Sequence, residues 1–173
     1  MTRFLAFSTF ALLLLTTTPA ASFAQTASNE FRQPWTRVMP NRLAMELASD
    51  DLGRQGDAML KVIQYSTFID GSIQWAPVVK PLLAIYKTDV DYRNRRLAVA
   101  ALHATGHPKG MKALRSLVYK ESSPAVVTST IMALVDHYGL GAFQDDRKMA
   151  RLAERTLTTG RKTGFWATTA DRQ

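Results

Sequence analysis

His103 and His107 stand four residues apart. On an uninterrupted helix that spacing sets two imidazoles on one face, where they could ligate a metal together. Gly106 and Pro108 argue against such a helix, because glycine favours helix ends and proline favours helix starts. No glutamate follows His103, so the His-Glu-x-x-His pattern of zinc peptidases is absent. Asp136 follows His103 by 33 residues, and His137 is the next residue. A small-ligand or metal-binding module around His103, His107 and His137 is therefore one reading. Helix-end histidines that cap backbone groups are the other, and on it no metal or cofactor is expected. Arg93, Arg95 and Arg96 form the densest basic cluster. A guanidinium's planar fork suits phosphate or carboxylate, yet Asp89 and Asp91 favour internal ion pairs instead.

Acid–base chemistry finds little support. Asp50-Asp51 and Asp145-Asp146 are adjacent pairs, which point different ways on a helix and read as N-terminal capping acids. There is no Gly-x-Ser-x-Gly elbow and no phosphate-binding loop. The chain has no cysteine, which excludes thiolate catalysis, thiolate zinc sites and covalent haem attachment. No catalytic residue is assigned, and the expectation is a non-enzymatic protein.

The elements that must position these residues repeat. Val99-Ala100-Ala101-Leu102-His103-Ala104-Thr105-Gly106 returns 33 residues later as Met132-Ala133-Leu134-Val135-Asp136-His137-Tyr138-Gly139. Ile85-Tyr86-Lys87 and Val118-Tyr119-Lys120 keep the same offset. Such self-similarity marks helical units that stack to bury what one unit cannot bury alone. Apolar spacing predicts helices over residues 55–69, 77–87, 92–105, 108–118, 124–138 and 144–159. Leu97, Ala100, Ala101 and Ala104 are expected on the core face of the third. Pro81 is expected to bend the second. No stretch alternates with period two, so an all-α chain without a sheet is predicted.

Pro77 through Gly139 resembles the short bacterial HEAT-like repeat. The residues that carry the likeness are Pro77 to Tyr86, the acidic turn at Asp89 and Asp91, Arg93 with Arg95-Arg96, then Leu97 to Ala104 and Gly106. The next copy keeps Pro108, Leu114, Leu117, Pro124, Ala133-Leu134 and Gly139, with Val127-Thr128 where arginines usually stand. Ankyrin repeats are the second resemblance, through Ala101-Leu102-His103 and Gly106-His107, and an irregular helical bundle is the remaining alternative. The HEAT-like resemblance implies a short right-handed α-solenoid of about three helix pairs. It also implies a concave face lined by second helices. Trp75, Lys80, Lys112, Arg115 and Tyr119 are the partner-binding candidates on that face. Tyrosine, tryptophan and arginine are favoured in such contacts.

Four segments are expected. Residues 1–24 read as a secretory signal peptide, with Arg3, an apolar run from Phe4 to Leu15, and Ser22-Phe23-Ala24 before the cleavage point. Residues 25–54 read as an arm docked through Phe31 and Trp35, followed by a short helix capped by Asn41. Residues 55–159 form the repeat domain and 160–173 a tail, anchored only at Phe165-Trp166. The apolar run is short for a bilayer span, which needs roughly 20 residues, and no later segment is long enough. A periplasmic or secreted location follows from that reading. The formal charge is +8, and +7 once Arg3 is lost. That favours an acidic protein partner or an anionic envelope component, whereas nucleic acid is not expected in that location. The function expected is a scaffold for protein–protein interaction.

Overall fold

The computed structural model describes residues 35–69 and 73–162. The expected signal segment 1–24, the arm through Phe31, and Phe165-Trp166 lie outside the described residues.

Local chemistry sets the helix ends. After α1 (35–47), Asp51 caps α2 (Leu52–Phe68) by accepting from the Gly53 and Arg54 amides at 2.9 and 3.2 Å. Proline in the first turn opens α3 (Ala76–Thr88), α5 (Pro108–Leu117) and α6 (Pro124–Tyr138), where its missing N–H costs nothing. Asp91 caps α4 (Tyr92–Thr105), accepting from the Arg93 amide at 2.8 Å. Gly106 ends α4 in a left-handed conformation, φ 59°, that a residue with a Cβ adopts only with strain. Asp146 opens α7 (Arg147–Lys162), accepting from the Met149 amide at 3.1 Å. Short 3-10 turns follow α5 at Val118–Lys120 and α6 at Leu140–Phe143.

The helices lie in two layers. In one, α4 packs between α2 and α6; in the other, α3 packs on α5. Cross-layer contacts run from α3 and α5 to α4, and from α5 to α6. Arg96 Nε donates to Ser129 Oγ at 3.0 Å, and His103 Nε2 meets Asp136 Oδ2 at 2.9 Å. Both pairs are 33 residues apart, so α4 and α6 run parallel and in register. The main partners of α7 are α6 and the turn at Leu140–Phe143. Every element among the described residues is helical, and none is a strand.

The core holds Met59, Val62, Val78, Leu82, Leu102, Leu114, Ile131 and Leu134, all fully buried. Each such side chain is worth roughly 1.5–3 kcal/mol of hydrophobic stabilisation. The buried Thr130 is satisfied, donating to the Val126 carbonyl at 2.8 Å within its own helix.

Beyond small shifts such as the start of α2 at Leu52 in place of residue 55, four expectations change. First, α1 begins before Pro40, whereas the sequence suggested an arm up to that residue. Met39, Leu43 and Leu47 all bury on the core, so tertiary packing overrides the proline. Second, Asn41 does not cap that helix; its amide donates to the Arg37 carbonyl one turn earlier, at 3.1 Å. Third, the core face of α4 is Ala98, Val99, Ala101 and Leu102, which leaves Ala100 exposed. Fourth, α7 starts at Arg147 and runs to Lys162, past the expected tail boundary.

Gly110 has a role that composition hides. A Cβ there would stand 3.0 Å from Leu102 Cδ2 and 3.6 Å from Val79 Cγ1, so α5 crosses its neighbours at a point with no room. Gly110→Leu should cost at least the 1–3 kcal/mol typical of an overpacked core, roughly 2–12 °C in melting temperature. An unchanged thermal melt would contradict this close approach.

Candidate functional site: a groove across α4 and α6

A groove of about 1060 Å³ opens along the outer side of α4 and α6, with the end of α7 as its third wall. Helical spacing builds it. From α4 come Arg93, Arg96, Leu97, Ala100 and His103, one stripe down a single face. From α6 come Ala125, Thr128, Met132 and Asp136, the matching stripe one register across. Leu157 closes the α7 side. The lining is mainly apolar, and the small side chains of Ala100 and Ala125 leave room between the larger ones.

The charges are unevenly placed. Arg93 and Arg96 stand at the end where α4 and α6 begin, and helix N-termini carry partial positive charge. Neither arginine forms an ion pair with a carboxylate among the described residues. Arg93 lies over the Tyr92 ring at 5.9 Å. Asp136 lies at the opposite end, tied to His103. The third arginine of the cluster turns away. Arg95 Nη1 donates to the Asp89 carbonyl at 2.7 Å, and Nη2 meets Glu121 Oε1 at 3.2 Å. Arg95 thus clasps two turns together, which matches the internal reading of the cluster, whereas Arg93 and Arg96 face the groove.

The histidines have separate duties. His103 spans to Asp136, and His107 Nδ1 accepts from the Lys109 amide at 3.3 Å as the cap of α5. His137 packs edge-on against Tyr138 at 4.5 Å. Among the described residues, no group of three or more histidine, aspartate or glutamate side chains is arranged to hold a metal ion.

The five partner-binding candidates do not line the groove. Trp75 is buried, while Lys80 and Lys112 are exposed. Arg115 and Tyr119 converge on Asp146: the Tyr119 hydroxyl donates to Oδ2 at 2.7 Å, and Arg115 Nη2 lies 3.6 Å from the same oxygen. Arg115 also covers the Phe143 ring at 5.2 Å, and Lys148 covers the Tyr119 ring at 4.6 Å. These contacts join α5 and its following turn to the start of α7. Charge reversal at Arg115 would set a carboxylate beside Asp146. The groove was missed because Leu97 and Ala100 fit a core stripe as well as a surface one. The signal available was the apolar excess on α4, which carries more apolar positions than one buried face uses.

The Asp146 cluster has a pH signature. Burial first, and the Asp146 carboxylate second, push the Tyr119 hydroxyl up to about 12. The unfolded tyrosine ionises near 10, so this contribution is complete below that pH and is lost as pH rises towards 12. The Tyr119 hydrogen bond, then the Met149 amide, hold the Asp146 carboxyl below its usual value. That contribution is present above about pH 4 and fades as acid protonates the folded carboxylate. Asp146→Asn should bring the Tyr119 phenolate titration down towards 10, read as ultraviolet absorbance against a Tyr119→Phe control. A Tyr119 titration unmoved by that substitution would show that burial alone sets it.

Set against known proteins, the chain matches no family model, no curated protein and no solved structure.

Proposed function

We propose that this chain is a non-enzymatic, exported scaffold that binds a protein partner, built as a short right-handed stack of HEAT-like helix pairs. Two cross-helix bonds of equal offset, Arg96 to Ser129 and His103 to Asp136, support the repeat reading. The observation that carries the binding role is the open, mainly apolar groove over α4 and α6. An exposed apolar concavity of this size on an otherwise packed helical layer is characteristic of an interaction site. Small-molecule sites enclose most of their ligand, which a groove open along its length does not do. The basic character of the chain favours an acidic partner.

The test is capture of partners from the source's own envelope fraction at low salt, using the full chain and two variants. Met132→Arg puts a charge into the groove floor, and Lys80→Glu with Lys112→Glu reverses charge on the second helices. Loss of the captured protein with Met132→Arg alone places binding at the groove. Loss with the lysine variant alone returns it to the second helices. Capture of no protein sinks the scaffold reading. The sequence of the secreted chain's first residues checks export separately: Gln25 at the N-terminus would match the expected cleavage.

A further inference from the structure

Resting on that binding role, we propose that the groove receives an acidic amphipathic helix of the partner. The groove lies between two parallel helices held in register, whose side chains form ridges with a furrow between them. A helix laid in such a furrow anchors through apolar side chains spaced one turn apart. From Arg93 to His103 the furrow runs about 15 Å at 1.5 Å per residue, enough for roughly three turns. The floor offers Leu97, Ala100 and Met132 to those anchors, and Leu157 flanks them. An extended peptide would instead seek a free strand edge, and the described residues contain no strand.

Charge fixes the chemistry of the occupant. Arg93 and Arg96 form no close ion pair among the described residues, with Asp91 the acid near Arg93 and Ser129 holding Arg96 Nε, and both sit where two helix N-termini converge. Carboxylates on the incoming helix would pair with these guanidiniums through charge-assisted hydrogen bonds. A basic helix would be repelled there. A second copy of this chain is disfavoured for the same reason, since its formal charge is +8.

The probes are two synthetic helical peptides that share a leucine seam and differ only in carrying glutamate or lysine beside it, with dodecanoate as a small anionic amphiphile. Fluorescence anisotropy at low salt should show the glutamate peptide binding about tenfold or more tightly than the lysine peptide. Raising salt should shrink that ratio. Arg93→Glu with Arg96→Glu should reverse the preference, and Met132→Arg should weaken both peptides. Circular dichroism confirms that each variant keeps its helices, and Arg93→Glu alone serves if the double variant does not. Equal affinity for the two peptides overturns the proposal, as does binding that ignores Met132→Arg. Displacement of the dye-labelled glutamate peptide by dodecanoate at lower concentration than by unlabelled peptide assigns the groove to a small amphiphile and also overturns it. If the glutamate peptide binds only after removal of residues 163–173, the chain's own terminal segment is the occupant, and the proposal falls. Should the peptides fail while Met132→Arg still abolishes capture of a native protein, the acidic-helix proposal is wrong and the scaffold reading stands.

Discussion

Leu134→Asp should abolish the cooperative melting of the helices. Leu134 is fully buried on α6, inside the core that α1 through α7 share. Truncation to alanine at such a site costs about 2–5 kcal/mol. Aspartate adds the cost of placing a carboxylate among carbon atoms, where it either loses its hydration or binds a proton. A domain of this size has about 5–15 kcal/mol of stability in total, so the variant would exhaust most or all of it. Far-ultraviolet circular dichroism should show either no thermal transition or a broad one. A sharp melt within a few degrees of the parent would sink the account of this core.

Arg95→Ala should be the next most damaging single change outside the apolar core. The Arg95 side chain is 14% exposed and its partner Glu121 is 7% exposed. Removing the arginine leaves a nearly buried carboxylate with the Ser123 amide, at 2.7 Å, as its remaining bond. Breaking one side of a buried pair costs about 3–5 kcal/mol, because the survivor keeps its charge without compensation. The carbonyl of Asp89 loses its donor as well. Glu121→Gln placed on top of Arg95→Ala should recover part of the loss, since it removes the stranded charge. Denaturant titrations of the two single variants and the double variant would measure this. Additive losses would mean that the two side chains do not act as a pair.

The helices were readable wherever the sequence carried its own punctuation. Asp51, Asp91, Pro108, Pro124, Gly106 and Gly139 act within one turn of themselves, so their meaning needs no tertiary knowledge. The start of α1 was not readable, because Pro40 looks like a stop until Met39, Leu43 and Leu47 are seen to bury together. Phe68 continues the apolar spacing of α2 yet is 78% exposed, so periodicity alone does not decide burial at a helix end. The candidate site was legible only in fragments. The Arg93, Arg95 and Arg96 cluster was visible, but its division into one clasp and two groove residues depends on where Glu121 and Ser129 arrive. That Arg115 and Tyr119 meet Asp146 was not legible, because Asp146 lies 27 residues beyond Tyr119. Short-range rules do not carry that distance.

The pairing of α4 with α6 acts as a gauge of alignment. Arg96 to Ser129 and His103 to Asp136 are separated along each helix by seven residues, close to two turns. Sliding one helix past the other by a single turn, about 5.4 Å, would break both bonds together. Residue types along the two stripes supply no second alignment: one turn further along α6, Arg96 would face Ala133 and His103 would face Leu140. The pairing of α4 with α6 therefore has one position that makes both bonds, and a displaced position would lose the two together.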